Sequence, residues 1–365
     1  MGNTRTNRFL LFAAGGTGGH IYPAIAVADK CYEIDQSLKI EFVGSHGRIE
    51  EEIIPREGYK LNLIWISSLQ RGFTFRSLVQ NLTLPIKIVA SFIQSYKLLR
   101  RLKPTVVVCA GSAVSFPIGK VAQWKKIPTV LLESNAIPGL STKKLASSAT
   151  QIHLAFSDAK KYLKNCNTIL SGNPIRKIFF EKVDKQNSLS FFGLGNNFTV
   201  FVFGGSQGSM AINNVIEKIM ESLQKNGIQL IWQTGKSFLR GDLKNKFMYR
   251  SKYIYDMDKA YSACDLVIAR AGATTISELS AVGKPSILIP LPTASEDHQK
   301  KNAEAFNAIG ASEYILDGNL NEQLFDKIIM LLKNPYKLKE MSIKALSNAS
   351  FGADDKIARS ILSIN

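Results

Sequence analysis

At 365 residues the chain exceeds the size at which a single hydrophobic core usually persists, so two domains are expected. Its 45% hydrophobic and 21% charged content is that of a globular protein, and no apolar run reaches the roughly 18 residues that a bilayer span requires. The net charge of +17 points to an anionic partner, and no recognition motif or aromatic-basic repeat directs that charge toward nucleic acid.

The segment Met1–Ala14 imitates a signal peptide. Its apolar part, Phe9–Ala14, is short, no small-residue cleavage site precedes the glycines, and cleavage would remove the first strand. The opening Met1–Thr6 also fits the short N-myristoylation pattern, which arises often by chance. Neither reading is adopted. The run Phe9–Ala14 reads instead as a buried strand, followed by Gly15-Gly16-Thr17-Gly18-Gly19-His20 and a helix over Ile21–Tyr32. A strand that feeds a helix through glycines exposes backbone amides at the positive helix end, which suits a phosphate. The second strand, Ile40–Val43, ends in Gly44-Ser45 without the acidic residue that a dinucleotide site wants, and no GK[ST] follows the glycines.

After the strand Leu61–Ile66 the charge becomes one-sided. From Gly58 through Leu132 there is no Asp or Glu, while eleven Lys and Arg residues fall there. A helix over Arg76–Leu102 mixes Leu82, Ile86 and Phe92 with Lys87, Arg100 and Arg101. Apolar surface ringed by cations suits an anionic membrane face; the alternative is a core helix with a solvated basic side. Strands Thr105–Ala110, Pro128–Leu132, Gln151–Ala155 and Thr168–Ser171, with a helix over Pro138–Ser148, complete a parallel, doubly covered sheet. The turn Ser171-Gly172-Asn173-Pro174 marks a junction between domains 1–173 and 174–351. Ile357, Ile361 and Leu362 have helical spacing, so the tail 352–365 is expected to pack back on the body, on the first domain.

The second half repeats the alternation, with strands at Thr199–Phe203, Gln229–Gln233, Lys252–Ile254, Leu266–Ala269, Ser286–Ile289 and Glu313–Leu316. A second glycine turn, Gly204-Gly205-Ser206-Gln207-Gly208, follows the first of these. Two such turns imply an α/β chain of two Rossmann-like domains facing one cleft. Chemistry is densest between Cys264 and Ala303. Gly272-Ala273-Thr274-Thr275 opens a helix whose amides and hydroxyls can hold a diphosphate. Glu278, one turn in, can accept from a ribose diol, or it is a first-turn residue favoured by the helix dipole. Gln299 and Asn302 share a helix face, where amides can read sugar hydroxyls. Asp256-Met257-Asp258 has the spacing of a metal-binding DxD, but it opens a helix, where Asp is a common cap, and no metal is assigned to it. Cys31, Cys109, Cys166 and Cys264 are scattered without a CxxC pair, which suits a reducing compartment.

Gly15–His20, Gly172-Asn-Pro-Ile-Arg176, Gly204–Gly208 and the Glu278, Gln299, Asn302 set, in this order, resemble the MurG family of bacterial N-acetylglucosaminyltransferases of peptidoglycan synthesis. The resemblance implies a GT-B fold, UDP-N-acetylglucosamine as donor, lipid I as acceptor and lipid II as product. It also implies peripheral association with the anionic cytoplasmic face of the cell membrane. It implies no cofactor beyond, at most, Mg²⁺ on a substrate diphosphate. His20 is the chosen general base, with a structural or acceptor-phosphate role as the alternative. Donor contacts fall to Thr17, Gly18, Gly19, Asn135, Arg176, Ser206, Gln207, Ile254, Ala273, Thr274, Thr275, Glu278, His298 and Gln299. The acceptor side falls to Gly15, Gly16, Ser112 and Glu133. Two turns depart from the family pattern: Gly111-Ser112-Ala113 stands where Gly-Gly-Tyr is usual, and Leu132-Glu133-Ser134-Asn135 where His-Glu-Gln-Asn is frequent. The rivals are a UDP-N-acetylglucosamine 2-epimerase and a UDP-sugar-binding membrane subunit without acceptor chemistry.

Overall fold

A computed structural model of the chain describes residues 8–67, 84–236, 238, 241–294 and 297–364. It divides into two compact units, Met1–Arg176 with Gly352–Asn365, and Lys177–Phe351. The break therefore falls after Arg176, three residues beyond the Asn173/Pro174 junction read from the sequence, and Arg176 belongs to the first unit.

The first unit holds strands β1 (Phe9–Ala13), β2 (Lys39–Ser45), β3 (Lys60–Ile64), β4 (Val106–Cys109), β5 (Thr129–Glu133), β6 (Gln151–Leu154) and β7 (Thr168–Leu170). Between them run α1 (Gly18–Ile34), α2 (Glu50–Arg56), α3 (Leu84–Leu102), α4 (Ser112–Trp124) and α5 (Leu140–Leu145). The strands form one parallel sheet in the order β3-β2-β1-β4-β5-β6-β7. All five residues of β1 are buried, as a central strand covered on both faces requires. The order reverses between β1 and β4, where Ala13 pairs with Cys109, and ligands of such sheets bind beyond the strand ends at that switch point.

The second unit repeats the plan with β8 (Thr199–Phe203), β9 (Gln229–Gln233), β10 (Leu243–Lys244), β11 (Met248–Ser251), β12 (Leu266–Ala269), β13 (Ser286–Leu288) and β14 (Ser312–Tyr314). Its helices are α6 (Lys185–Phe192), α7 (Met210–Lys225), α8 (Met257–Ala263), α9 (Ala273–Val282), α10 (His298–Ala308), α11 (Leu320–Leu332) and α12 (Pro335–Ser347). The order is β10-β11-β9-β8-β12-β13-β14, and the switch point lies between β8 and β12, where Phe203 pairs with Ala269. One expectation is corrected here and one pairing is new. The strand placed at Lys252–Ile254 lies earlier, at Met248–Ser251, and the antiparallel pairing of β10 with β11 has no counterpart in the sequence reading. Both segments are short, polar and at the sheet edge, so they lack the apolar run that marks the central strands.

The last helix, α13 (Ala353–Leu362), returns to the first unit and packs on α1, burying Ile357, Ala358 and Ile361. The Arg8 guanidinium donates to the carbonyls of Leu362 and Ile364, and Ser360 donates to Gln151 on β6 at 2.8 Å. Residues 76–83 of the basic helix read from the sequence, Leu82 among them, lie outside the described residues.

Candidate active site

In the first unit, β1 runs into Gly15-Gly16-Thr17 and α1 begins at Gly18, so the first glycine loop ends at a helix N-terminus at the switch point. Gly16 has φ +81°, a conformation glycine adopts without steric cost. Beneath the loop lies a group that the sequence reading passed over. Glu50, fully buried on α2, accepts the Gly16 N–H at 3.0 Å on Oε2, and the Ser45 N–H at 3.0 Å and hydroxyl at 2.7 Å on Oε1. A Cβ on Gly15 would lie 2.4 Å from Glu50 Oε1, so a side chain there would displace the carboxylate.

His20, half-buried, stands in the first turn of α1 with Nδ1 3.4 Å from the Thr17 hydroxyl. Gly111, φ +85°, backs the imidazole so closely that a Cβ there would lie 2.7 Å from His20 Cδ2. Burial lowers the His20 pKa; the Glu133 carboxylate, a hydrogen bond to the Gly15 backbone and the Glu50 carboxylate oppose that. Burial thus favours the neutral imidazole, which can accept a proton, and the two carboxylates stabilise the charge that results. Glu133, at the end of β5, accepts from the Asn135 N–H and side-chain amide, both at 3.0 Å, and from the Gly139 N–H at 2.9 Å. Asn135 is thus oriented by Glu133. Ser112 opens α4 at φ +70°, with its hydroxyl oxygen buried and without a hydrogen-bond partner among the described residues. Arg176 is also in this unit, buried, with its guanidinium 3.8 Å from the Tyr22 ring centroid and 3.8 Å from a Glu57 carboxylate oxygen.

In the second unit, the glycine loop is a longer turn than its sequence suggests. Helix α7 starts at Met210, with Ser209 as its cap accepting from the Ile212 N–H, not directly after Gly205–Ser206. Gly208 lies against the next strand's end; a Cβ there would approach the Thr234 carbonyl to 2.1 Å. Ser206 is half-buried and Gln207 exposed at the tip. Gln233, at the end of β9, donates to the Gly205 carbonyl at 3.1 Å and accepts the Ile254 N–H at 2.9 Å, tying together two segments read as donor contacts. The Ile254 amide is therefore committed within the protein. Arg270 does similar work on the other side: it donates to Ser209 Oγ at 2.7 Å and to the carbonyls of Ile289 and Pro290, and pairs with Asp317.

Gly272 caps α9, and Ala273, Thr274 and Thr275 form its first turn with their amides at the positive end. Glu278 falls in the second turn, so the dipole does not explain it; its buried carboxylate accepts from the Tyr261 hydroxyl at 3.0 Å. On α10, His298 is the first residue, Gln299 accepts the Leu291 N–H at 3.0 Å, and Asn302 donates to the Ala271 carbonyl at 3.2 Å. These amides brace the loops around Gly272. Asp256 precedes α8 but makes no side-chain cap; it pairs with Lys259 at 2.7 Å.

Helix α3 leaves an apolar face uncovered: Ile86 is 65% and Val89 61% exposed, with Ile93 and Tyr96 also exposed. Lys87 reaches the Ser67 hydroxyl at 3.4 Å, and Arg100 is exposed. Of the residues expected on this face, Phe92 turns inward, and Arg101 is exposed but reaches back to the sheet. Phe92 packs edge-on against Phe116 and stacks on Trp124, because its helical position faces α4. Arg101 donates to Asn62 on β3. No described helix is long and apolar enough to cross a membrane.

The sequence matches the glycosyltransferase family 28 N-terminal domain over residues 10–154 and the family's C-terminal domain over residues 199–357. The UDP-N-acetylglucosamine--N-acetylmuramyl-(pentapeptide) pyrophosphoryl-undecaprenol N-acetylglucosamine transferase of Chlorobaculum tepidum is 39% identical over 98% of this chain and 99% of its own length. The protein of the same name from Cytophaga hutchinsonii is 35% identical, covering 97% of this chain and 96% of its own. The chain belongs to the MurG family. Its fold is GT-B: the crystal structure of Acinetobacter baumannii MurG superposes with TM-score 0.68 at 23% identity, covering 98% of this chain and 100% of that one. The crystal structure of a UDP-N-acetylglucosamine 2-epimerase gives TM-score 0.66 at 12% identity, covering 98% of this chain and 96% of that one. The fold alone therefore does not separate transferase from epimerase. The near-full-length relatives do, and this MurG-family chain is a glycosyltransferase.

Proposed function

We propose that the chain transfers N-acetylglucosamine from UDP-N-acetylglucosamine to the muramoyl 4-hydroxyl of lipid I, with inversion, giving lipid II. The observation that carries the reading is the placement of His20, in the first turn of α1 next to the first glycine loop, with Nδ1 3.4 Å from the Thr17 hydroxyl and Gly111 against its ring; burial lowers its pKa. The acceptor oxygen attacks the anomeric carbon from the side opposite the diphosphate while His20 takes the hydroxyl proton. The bond from that carbon to the phosphate oxygen breaks, and its electron pair leaves with UDP. Charge on the departing diphosphate is met by the amides opening α9 and the second glycine loop. Glu278 accepts from the ribose diol, and His298 and Gln299 lie by the sugar hydroxyls. Arg176, engaged with Tyr22 and Glu57, supplies a cation for the same diphosphate.

The exposed apolar face of α3 and its basic surroundings support docking on the anionic cytoplasmic membrane face, where a polyprenyl acceptor resides. An epimerase has no use for such a face. The test is transfer of labelled N-acetylglucosamine from its UDP donor to a short-chain lipid I analogue by the wild type and His20→Ala. Transfer by the wild type with a loss of about 10²-fold or more in the variant is expected. Equal rates would remove His20 from the chemistry, and no transfer by the wild type despite donor binding would leave a binding subunit.

A further inference from the structure

Tyr261 lies in α8, the helix that follows the Ile254 turn. Its ring is fully buried and packs edge-on against Phe201 and Phe179 at centroid distances of 5.6 Å, and against Phe203 at 6.2 Å. A phenol in such surroundings loses its hydration and needs a partner. Glu278 Oε2 accepts its hydroxyl proton at 3.0 Å. Glu278 in turn is 7% exposed, on a helix whose first turn forms part of the candidate donor site.

Two features make this contact more than a satisfied core hydroxyl. A buried carboxylate has several rotamers, and a hydrogen bond to one named oxygen selects among them; Tyr261 itself is clamped by three rings and cannot follow a drifting partner. The charge on a buried carboxylate is also costly without a donor, and the phenol supplies one from the protein side. Phe201 and Phe203 belong to β8, the strand that feeds the second glycine loop, so the ring that orients Glu278 rests on that same strand.

We infer that Tyr261 is a positioning residue that holds the Glu278 carboxylate in the orientation that receives the donor ribose diol. The inference rests on the proposed role of Glu278 at the ribose. Tyr261→Phe removes one oxygen and keeps the ring, so the packing against Phe179, Phe201 and Phe203 is retained. The experiment measures KM and kcat with UDP-N-acetylglucosamine and with its 2′-deoxyribose analogue, for wild type, Tyr261→Phe and Glu278→Gln, alongside thermal unfolding.

For Tyr261→Phe the expected result is a KM for the ribose donor raised about fivefold, a KM for the deoxy donor changed less than twofold, and kcat unchanged. A purely structural role would move both donors equally, or neither, and that outcome overturns the inference. Glu278→Gln separates the two failures. If it abolishes the preference for ribose while Tyr261→Phe leaves the preference intact, Glu278 keeps its role and Tyr261 loses the one assigned. If Glu278→Gln leaves the preference intact, the ribose reading of Glu278 is wrong and the inference falls with it.

Discussion

Glu50 Oε2 accepts the Gly16 N–H at 3.0 Å, so one amide of the first glycine loop faces a buried carboxylate and not a ligand. The loop is thereby held from behind, and an anion bound to it must be met by amides nearer the α1 N-terminus. Glu50→Ala would leave the Gly16 N–H and both donors of Ser45 without their acceptor. The expected cost is about 3 kcal/mol of stability in denaturant unfolding, with a fall in transfer rate of more than about tenfold. An unchanged unfolding midpoint would show that the loop does not depend on this carboxylate.

The surroundings of His20 make a prediction about pH. Burial favours its neutral form, and the nearby Glu133 carboxylate partly restores the charged one. The acidic limb of kcat/KM should therefore lie below the ordinary histidine value of about 6.5. Replacing Glu133 with Gln removes a charge that favours the imidazolium, so the limb should move lower still. A limb that moves upward in that variant would contradict the assignment.

His153 offers a stability prediction away from the chemistry. It is buried on β6, with Nδ1 2.7 Å from the Ser171 hydroxyl, and burial, reinforced by the Lys356 cation of α13, pushes its pKa down to about 4. The unfolded chain, with the ordinary value of about 6.5, binds the proton more readily. The contribution of the neutral ring is thus complete above about pH 6.5 and is lost as pH falls toward 4, with about 2 kcal/mol gone by pH 5. Urea unfolding at pH 7 and pH 5 measures it, and His153→Gln should flatten the difference.

The uncovered face of α3 predicts membrane binding that depends on both apolar contact and charge. Ile86→Glu with Val89→Glu should reduce co-sedimentation with anionic vesicles by more than about tenfold without lowering the unfolding temperature, since both side chains are exposed. Raised salt should weaken wild-type binding. Retention of the double variant on vesicles would place the docking surface elsewhere.

The central strands and both glycine turns were legible because continuous apolar runs such as Phe9–Ala13 and Thr199–Phe203 have few other fates. The groups that support the site were not. Glu50 opens a run of three glutamates that looks like a solvated helix start, and only the return of β2 to the first loop brings it under Gly16. Gln233 and Arg270 sit at the ends of strands whose neighbours are set by long-range pairing, so their partners at Gly205, Ile254 and Ser209 have no local signature. Phe92 had the composition expected of a membrane face, yet helical phase turned it toward Trp124, while the exposed Arg101 reaches back to Asn62.

The packing of α13 on α1 has a consequence for biosynthesis. The helix that follows the first glycine loop is made before the second unit, while Ile357 and Ile361 of the helix packed on it are made after it. During translation the first unit must wait, with part of its apolar surface bare, until the entire second unit has been made. Loss of α13 would then expose α1, far from the cut in sequence, and leave the His20 helix without its cover.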